Sequence, residues 1–206
     1  MKKWIALLLV SLLLCGCGKE TATPTETPET TEAAPTPVGT LYVSFGAVLE
    51  IVYDEDGNAL TLTGANEAGA AIAAAKQDQL NKGCVYTLRS ILRYVITENL
   101  FGDTKTVTVR IGATDPLPTP DFLEVIGMDC QYLLDEELDD VDMYCLCGDM
   151  LDEAGNITFD TAQMLAGKFL KAEAIGEAAP IDGLYLFTAG GRSCTVDAFT
   201  GLILEK

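Results

Sequence analysis

Histidine is absent from the 206 residues. Its absence removes the commonest general base and the commonest metal ligand. It also excludes any Ser/His/Asp or Cys/His catalytic set. Cations are scarce, with 13 Lys and Arg against 31 Asp and Glu and a formal charge of −18. Such a chain is not expected to bind nucleic acid, whose phosphates need Lys and Arg. Anionic lipid repels it, so membrane attachment requires a covalent anchor. No apolar run is long enough to span a bilayer. The longest, residues 4–14, is broken by Ser11 and falls short of the roughly 20 residues of a spanning helix. An even set of cysteines is missing too. Beyond Cys15 and Cys17 stand Cys84, Cys130, Cys145, Cys147 and Cys194, so at least one is free or pairs with another chain.

The N-terminus combines Lys2 and Lys3, the short apolar run and small residues after it, the pattern of a secretory signal. Leu14-Cys15-Gly16-Cys17 resembles the lipobox of bacterial lipoproteins. The resemblance implies cleavage after residue 16, a diacylglyceryl group on Cys17, and a chain held on the extracytoplasmic face of the membrane. Two acyl chains give stable anchoring where one is marginal. The alternative is an ordinary cleaved signal. Residues 17–39 carry this cysteine and a Thr/Pro/Glu-rich linker with Pro24, Pro28, Pro35 and Pro37. That composition buries too little apolar surface to fold and favours an extended stalk.

Order is expected from residue 40. Leu41, Val43, Phe45, Ala47, Leu49, Ile51 and Tyr53 alternate with their neighbours, which reads as one strand with a bend at Gly46. Asp54-Glu55-Asp56-Gly57-Asn58 then turns into a second strand. It looks like a calcium loop but has Ala65 at the twelfth position, where an EF-hand needs an acid. An Ala-rich helix is expected within residues 66–80. A second, over residues 85–99, places Leu88, Ile91, Leu92, Val95 and Ile96 on one face, with Gly102 closing it. Val107, Val109 and Ile111 mark a further strand. The order ββααβ is an α+β module over residues 40–113. The pieces Val43-Ser44-Phe45, Glu50-Ile51, Asp56-Gly57 and Thr63-Gly64-Ala65-Asn66-Glu67-Ala68-Gly69 resemble the extracellular part of RsgI-type anti-sigma factors. This implies a fold and an extracellular setting. It does not imply sigma-factor inhibition, since no spanning helix or cytoplasmic segment accompanies it.

Pro116, Pro118 and Pro120 mark a connector, and residues 114–206 read as a second α+β module. Residues 122–134 fit a helix or a strand. Asp135, Glu136, Glu137, Asp139, Asp140 and Asp142 form a run that is a solvated loop or, if the carboxylates converge, a calcium site. Val141, Met143, Cys145 and Cys147 share a strand face, as small core residues or, with Cys130 and Cys194, as a redox or zinc site. Thr158 or Asp160 caps a helix, with Gln163 completing a capping box and Ala162, Met164, Leu165, Phe169 and Leu170 buried. A hairpin through Gly190-Gly191 and a last short strand follow. Ile157-Thr158-Phe159-Asp160-Thr161-Ala162, Tyr185-Leu186-Phe187, and Thr195-Val196-Asp197-Ala198-Phe199-Thr200-Gly201-Leu202-Ile203-Leu204 resemble a PepSY domain. That family restrains peptidases or serves as an extracellular binding module. Asp197 and Gly201 suit its closing turn, and no functional residue is carried over.

The expected architecture is therefore α+β, with two small modules, each a mostly antiparallel sheet against helix, after a disordered stalk. The expected function is a non-enzymatic, membrane-anchored binding or regulatory lipoprotein. Its partners are the membrane, through lipid on Cys17, and a cell-surface protein or a peptidase. The alternatives are a peptidase inhibitor or propeptide-like chaperone, and an enzyme using carboxylates. No catalytic, cofactor-binding or metal-ligating residue stands out.

Overall fold

The structure is a computed structural model, and it describes residues 34–102 and 104–205. Cys17 and most of the linker lie outside the described residues. Residues 35–206 form one compact unit of the α+β class. It holds two sheets and two cores.

The alternation over residues 41–53 folds as two strands rather than one. β1 (Pro37–Ser44) and β2 (Val48–Asp54) are antiparallel, with Leu41 opposite Ile51 and Val43 opposite Leu49. Gly46 at φ 95° turns the chain between them. The hairpin keeps odd positions on one face of both strands, so periodicity passes through the turn unchanged. β1 opens at Pro37, inside the expected linker. The Asp54–Asn58 turn leads to β3 (Ala59–Gly64), with Gly57 at φ 77° as expected.

α1 (Glu67–Ala75) is capped by Asn66. Asn66 Oδ1 accepts from Gly69 N at 2.8 Å and Val48 N at 3.1 Å, while Nδ2 donates to Gly46 O at 2.9 Å. One side chain thus caps the helix and holds the first hairpin turn. A Cβ on Gly64 would lie 2.0 Å from Ala70 N, and one on Gly69 would lie 2.1 Å from Val48 O. Only glycine lets this alanine-rich helix lie directly on the strand backbone.

α2 (Cys84–Thr97) buries Leu88, Ile91, Leu92 and Val95 as its period predicts, and Ile96 packs half-buried against the same core. Asn99, at φ 53°, takes the left-handed position at its end; Gly102 lies in the following loop. β4 (Thr106–Ile111), α3 (Phe122–Glu137) and β5 (Asp142–Leu146) form a parallel crossover unit. The first sheet has five strands in the order β3-β2-β1-β4-β5. α2 and α3 cover its inner face, and residues 41–141 share one core.

The first sheet therefore extends past the expected module boundary at residues 113 and 114. Both α3 and β5 belong to it. The proline connector is tied down as well: Asp115 Oδ2 accepts from Thr40 N at 2.8 Å, and Tyr53 Oη donates to Pro116 O at 2.9 Å.

The second core begins at Leu146. α4 (Phe159–Leu170) packs on a sheet of β6 (Ile175–Gly176), β7 (Leu184–Ala189), β8 (Arg192–Asp197) and β9 (Ile203–Glu205). Thr158 caps α4 by accepting from Thr161 N. The capping box is not formed, because Gln163 Nε2 donates to Ala174 O at 2.7 Å instead. Thr161 and Ala166 are buried as well, Phe169 is half-buried against this core, and Met164 is exposed rather than buried. Val196 and Ile203 face this core, at 0% and 4% exposure.

The outer face of β4 joins the two cores. Arg110 is 3% exposed and lies between two rings, with Cζ 4.1 Å from the centre of Tyr42 and 3.9 Å from that of Phe199. Its Nη1 donates to Gly155 O at 2.9 Å. Burial lowers the guanidinium pKa, against the opposing pull of Tyr42, Asp197 and Glu50. Thr108 Oγ1 donates to Thr200 O, and Ile203 N to Thr106 Oγ1 at 3.5 Å.

Candidate functional site

The titratable groups singled out in the sequence are dispersed or structurally engaged. Glu136 and Glu137 end α3 with Asp135, Asp139 and Asp140 lie in the loop after it, and Asp142 opens β5. Among the described residues, no group of three or more His, Cys, Asp or Glu is placed to hold a metal ion. In the Asp54 turn, burial alone would raise the carboxyl pKa. Hydrogen bonds from Asn58 N, Asn58 Nδ2 and Asp56 N outweigh it and hold the group below its ordinary value. This is a self-satisfied turn.

Cys84, Cys130, Cys145 and Cys147 are free thiols in this structure. Burial pushes Cys84, Cys130 and Cys145 up to about 12. A thiol held protonated is a poor nucleophile and a poor metal ligand at neutral pH. Cys194 faces the second core from β8 and Cys130 faces the first from α3, which separates residues that a shared Cys site would need together.

The structure does assemble a groove, of about 570 Å³, between α3 and β5. β5 is an end strand of the first sheet. α3 supplies one wall through Glu124, Gly127, Gln131 and Asp135, which recur three or four residues apart and so share a face. Met128 and Tyr132 flank them, 63% and 59% exposed. Met143 and Cys145 of β5 form the opposite wall. A Cβ at position 127 would sit 3.1 Å from Cys145 Sγ, so a side chain at Gly127 would crowd the strand here.

Gln131 spans the gap. Its Oε1 accepts from Met143 N at 2.7 Å, and its Nε2 donates to Val141 O at 3.1 Å and to Asp135 Oδ1 at 2.7 Å. Two backbone groups on the outer edge of β5 are therefore satisfied by one side-chain amide. No sequence reading singled out Gln131, Met128 or Tyr132, because residues 122–134 fitted helix and strand alike. The signal was the spacing 124, 127, 131 and 135, readable only once the segment is known to be a helix.

A second surface lies on the outer face of the four-stranded sheet. Ile175, Ile181 and Leu186 are 71%, 68% and 47% exposed and line a hollow of about 500 Å³ whose one charged residue is Glu177. Exposed apolar residues grouped in this way are a common mark of interaction surfaces. No described helix is long and apolar enough to cross a membrane.

No family model, curated protein or solved structure matches this chain.

Proposed function

We propose that this chain is a non-enzymatic module, held by lipid on Cys17 at the extracytoplasmic face of a membrane, that binds a polypeptide partner. The α3–β5 groove carries the binding half of this reading. It offers an acidic wall on α3, an apolar wall on β5 and a strand edge that one side-chain amide only partly covers, a combination that suits a polypeptide better than a small molecule. The state of the ionisable groups supports a non-enzymatic role: Asp54 is consumed by its own turn and three thiols are held protonated. The anchoring half rests on Leu14-Cys15-Gly16-Cys17. The likeness of residues 195–204 to the closing pattern of PepSY domains supports an extracellular setting.

Two experiments test the halves separately. Cys17→Ser is expected to release the protein into the medium or leave it as uncleaved precursor; unchanged processing and membrane association would refute lipidation. A photo-reactive residue at position 128 of the full chain, on intact cells, is expected to form a polypeptide adduct. The same residue at position 86, on the exposed face of α2, is expected to form none. No adduct from position 128, or equal adducts from both, would refute binding in the groove.

A further inference from the structure

We propose that the groove takes an extended segment bearing lysine or arginine, which adds to the first sheet as a sixth strand along β5. This rests on the polypeptide-binding reading above and specifies its ligand and geometry.

The backbone argument starts from strand alternation, which sends the peptide groups of successive residues to opposite edges. Asp142 N donates to Lys105 O at 3.1 Å, on the β4 side. Val141, Met143 and Cys145 therefore present their peptide groups to the outer edge. The bonds from Gln131 to Val141 O and Met143 N fall on that edge as required. A primary amide offers one acceptor and one donor side by side, as a peptide unit does. Gln131 thus fills one rung of a missing strand. The next rung, at Cys145, borders the groove. An incoming segment pairs first at Cys145 and then replaces Gln131 at Met143, exchanging hydrogen bonds one for one. An uncovered edge invites pairing, and folds commonly block it with bulk, proline or inward charge. Here the cover is one side-chain amide with space beside it.

Charge selects the segment. Glu124 and Asp135 face the groove and Asp142 opens its strand. None of the three is in an ion pair among the described residues; the ion pair found there joins Arg89 to Asp129 at 2.6 Å. Among the described residues, Lys105 Nζ donates to the backbone oxygen of Asp139 at 3.4 Å. Cationic side chains on the α3 face of the added strand would meet Glu124 and Asp135, and their aliphatic stems would cover Met143 and Cys145, which line the same groove. A second copy of this chain does not fit. Two-fold pairing of β5 with itself sets each acidic wall against its own image, between chains of charge −18.

The test uses the full chain and a fluorescein-labelled peptide alternating lysine and valine, followed by anisotropy. Saturable binding is expected. Methylating the backbone nitrogens on one edge of that peptide keeps its charge and is expected to weaken binding about tenfold or more, as loss of two or more hydrogen bonds does. A glutamate–valine peptide is expected not to bind, and the surface pair Glu124→Lys with Asp135→Lys to exchange the two preferences. Hydrogen exchange at the Met143 and Cys145 amides should slow in the complex, and Gln131→Ala should strengthen it. Equal binding of the methylated peptide, or unchanged exchange at Met143 and Cys145, would overturn strand addition. So would a self-associated dimer that protects Cys145 without peptide. If the position-128 adduct forms while these tests fail, the groove binds a partner in another way. If both fail, neither reading stands.

Discussion

Gly201 decides how closely the two cores approach, and replacing it tests that junction. Its φ is 73°, its N–H donates to Asp197 O at 2.8 Å, and an added Cβ would lie 3.0 Å from Leu146 Cδ1 and 3.3 Å from Thr108 Cγ2. Two costs follow. A left-handed L-residue costs about 1–2 kcal/mol. Crowding a packed interior costs about 1–3 kcal/mol, and the lower half applies because a Leu146 methyl can shift a few tenths of an ångström. Gly201→Ala should therefore destabilise by about 2–4 kcal/mol, lowering the melting temperature by about 4–16 °C in a body of this size. Valine, branched at Cβ, should cost more. Gly190→Ala is the control. Gly190 also has positive φ, at 58°, but an added Cβ would meet nothing within 4 Å, so only the backbone cost applies. Thermal melts by circular dichroism with parallel urea titrations measure both. Equal losses would mean that the cores do not meet at Gly201. A melting temperature for Gly201→Ala within a degree of the parent would mean that the turn does not need a left-handed residue, and that residues 197–201 are free to serve recognition.

Arg110→Lys keeps the charge but loses the planar group stacked between Tyr42 and Phe199 and the hydrogen bond to Gly155; a loss of about 1–3 kcal/mol is expected in urea unfolding, and no change would show that the rings need only a cation. Alkaline pH should destabilise the fold. Cys84, Cys130 and Cys145 are raised to about 12 by burial, as are Tyr53 and Tyr144. Groups raised in this way stabilise fully below their unfolded values, from about 8.5 for thiols, and that stability is lost as pH climbs towards 12. Urea midpoints flat from pH 8 to 11 would refute the burial of these groups. Acid works in the opposite sense: Asp54 is held below its ordinary value, so its contribution is present above about pH 4 and fades as pH falls further. Asp54→Asn should flatten that acid limb, and an unchanged limb would place the acid sensitivity elsewhere.

Local turn chemistry was legible in the sequence and long-range pairing was not. The Asp54–Asn58 turn and the Gly190-Gly191 hairpin carry their own cause, glycine at positive φ, and both stand where expected. The turn at Gly46 was hidden because β1 and β2 keep odd residues on one face, so alternation did not break. The helix over 122–137 was ambiguous because apolar residues populate several of its sides: Leu123, Ile126 and Leu134 face the core while Val125 and Met128 face out. The boundary expected at 113 and 114 followed the prolines, yet β5 returns beside β4 after 30 intervening residues (112–141), and no local signal marks a parallel pairing. The groove depended on that fact. Gln131 acquires meaning only when β5 is known to be an edge strand and α3 to run beside it.

One electrostatic field would serve both halves of the proposed function. A chain of charge −18 is repelled by anionic lipid headgroups over about a Debye length. A covalent lipid at the end of a proline-rich segment would keep such a body near the membrane without letting it lie flat on it. The same field raises the local concentration of a cationic segment and speeds its encounter. It cannot by itself align that segment, because long-range attraction has no register. Register comes from the two backbone groups that Gln131 now occupies and the one at Cys145 beside them. Raising salt should therefore slow association of the lysine–valine peptide far more than it speeds dissociation. A methylated peptide with the same charge should keep the fast approach and lose the slow release. Stopped-flow association and dissociation rates at two salt concentrations separate these effects. If salt and methylation acted on the same rate, charge alone would account for binding and the open edge of β5 would have no part in it.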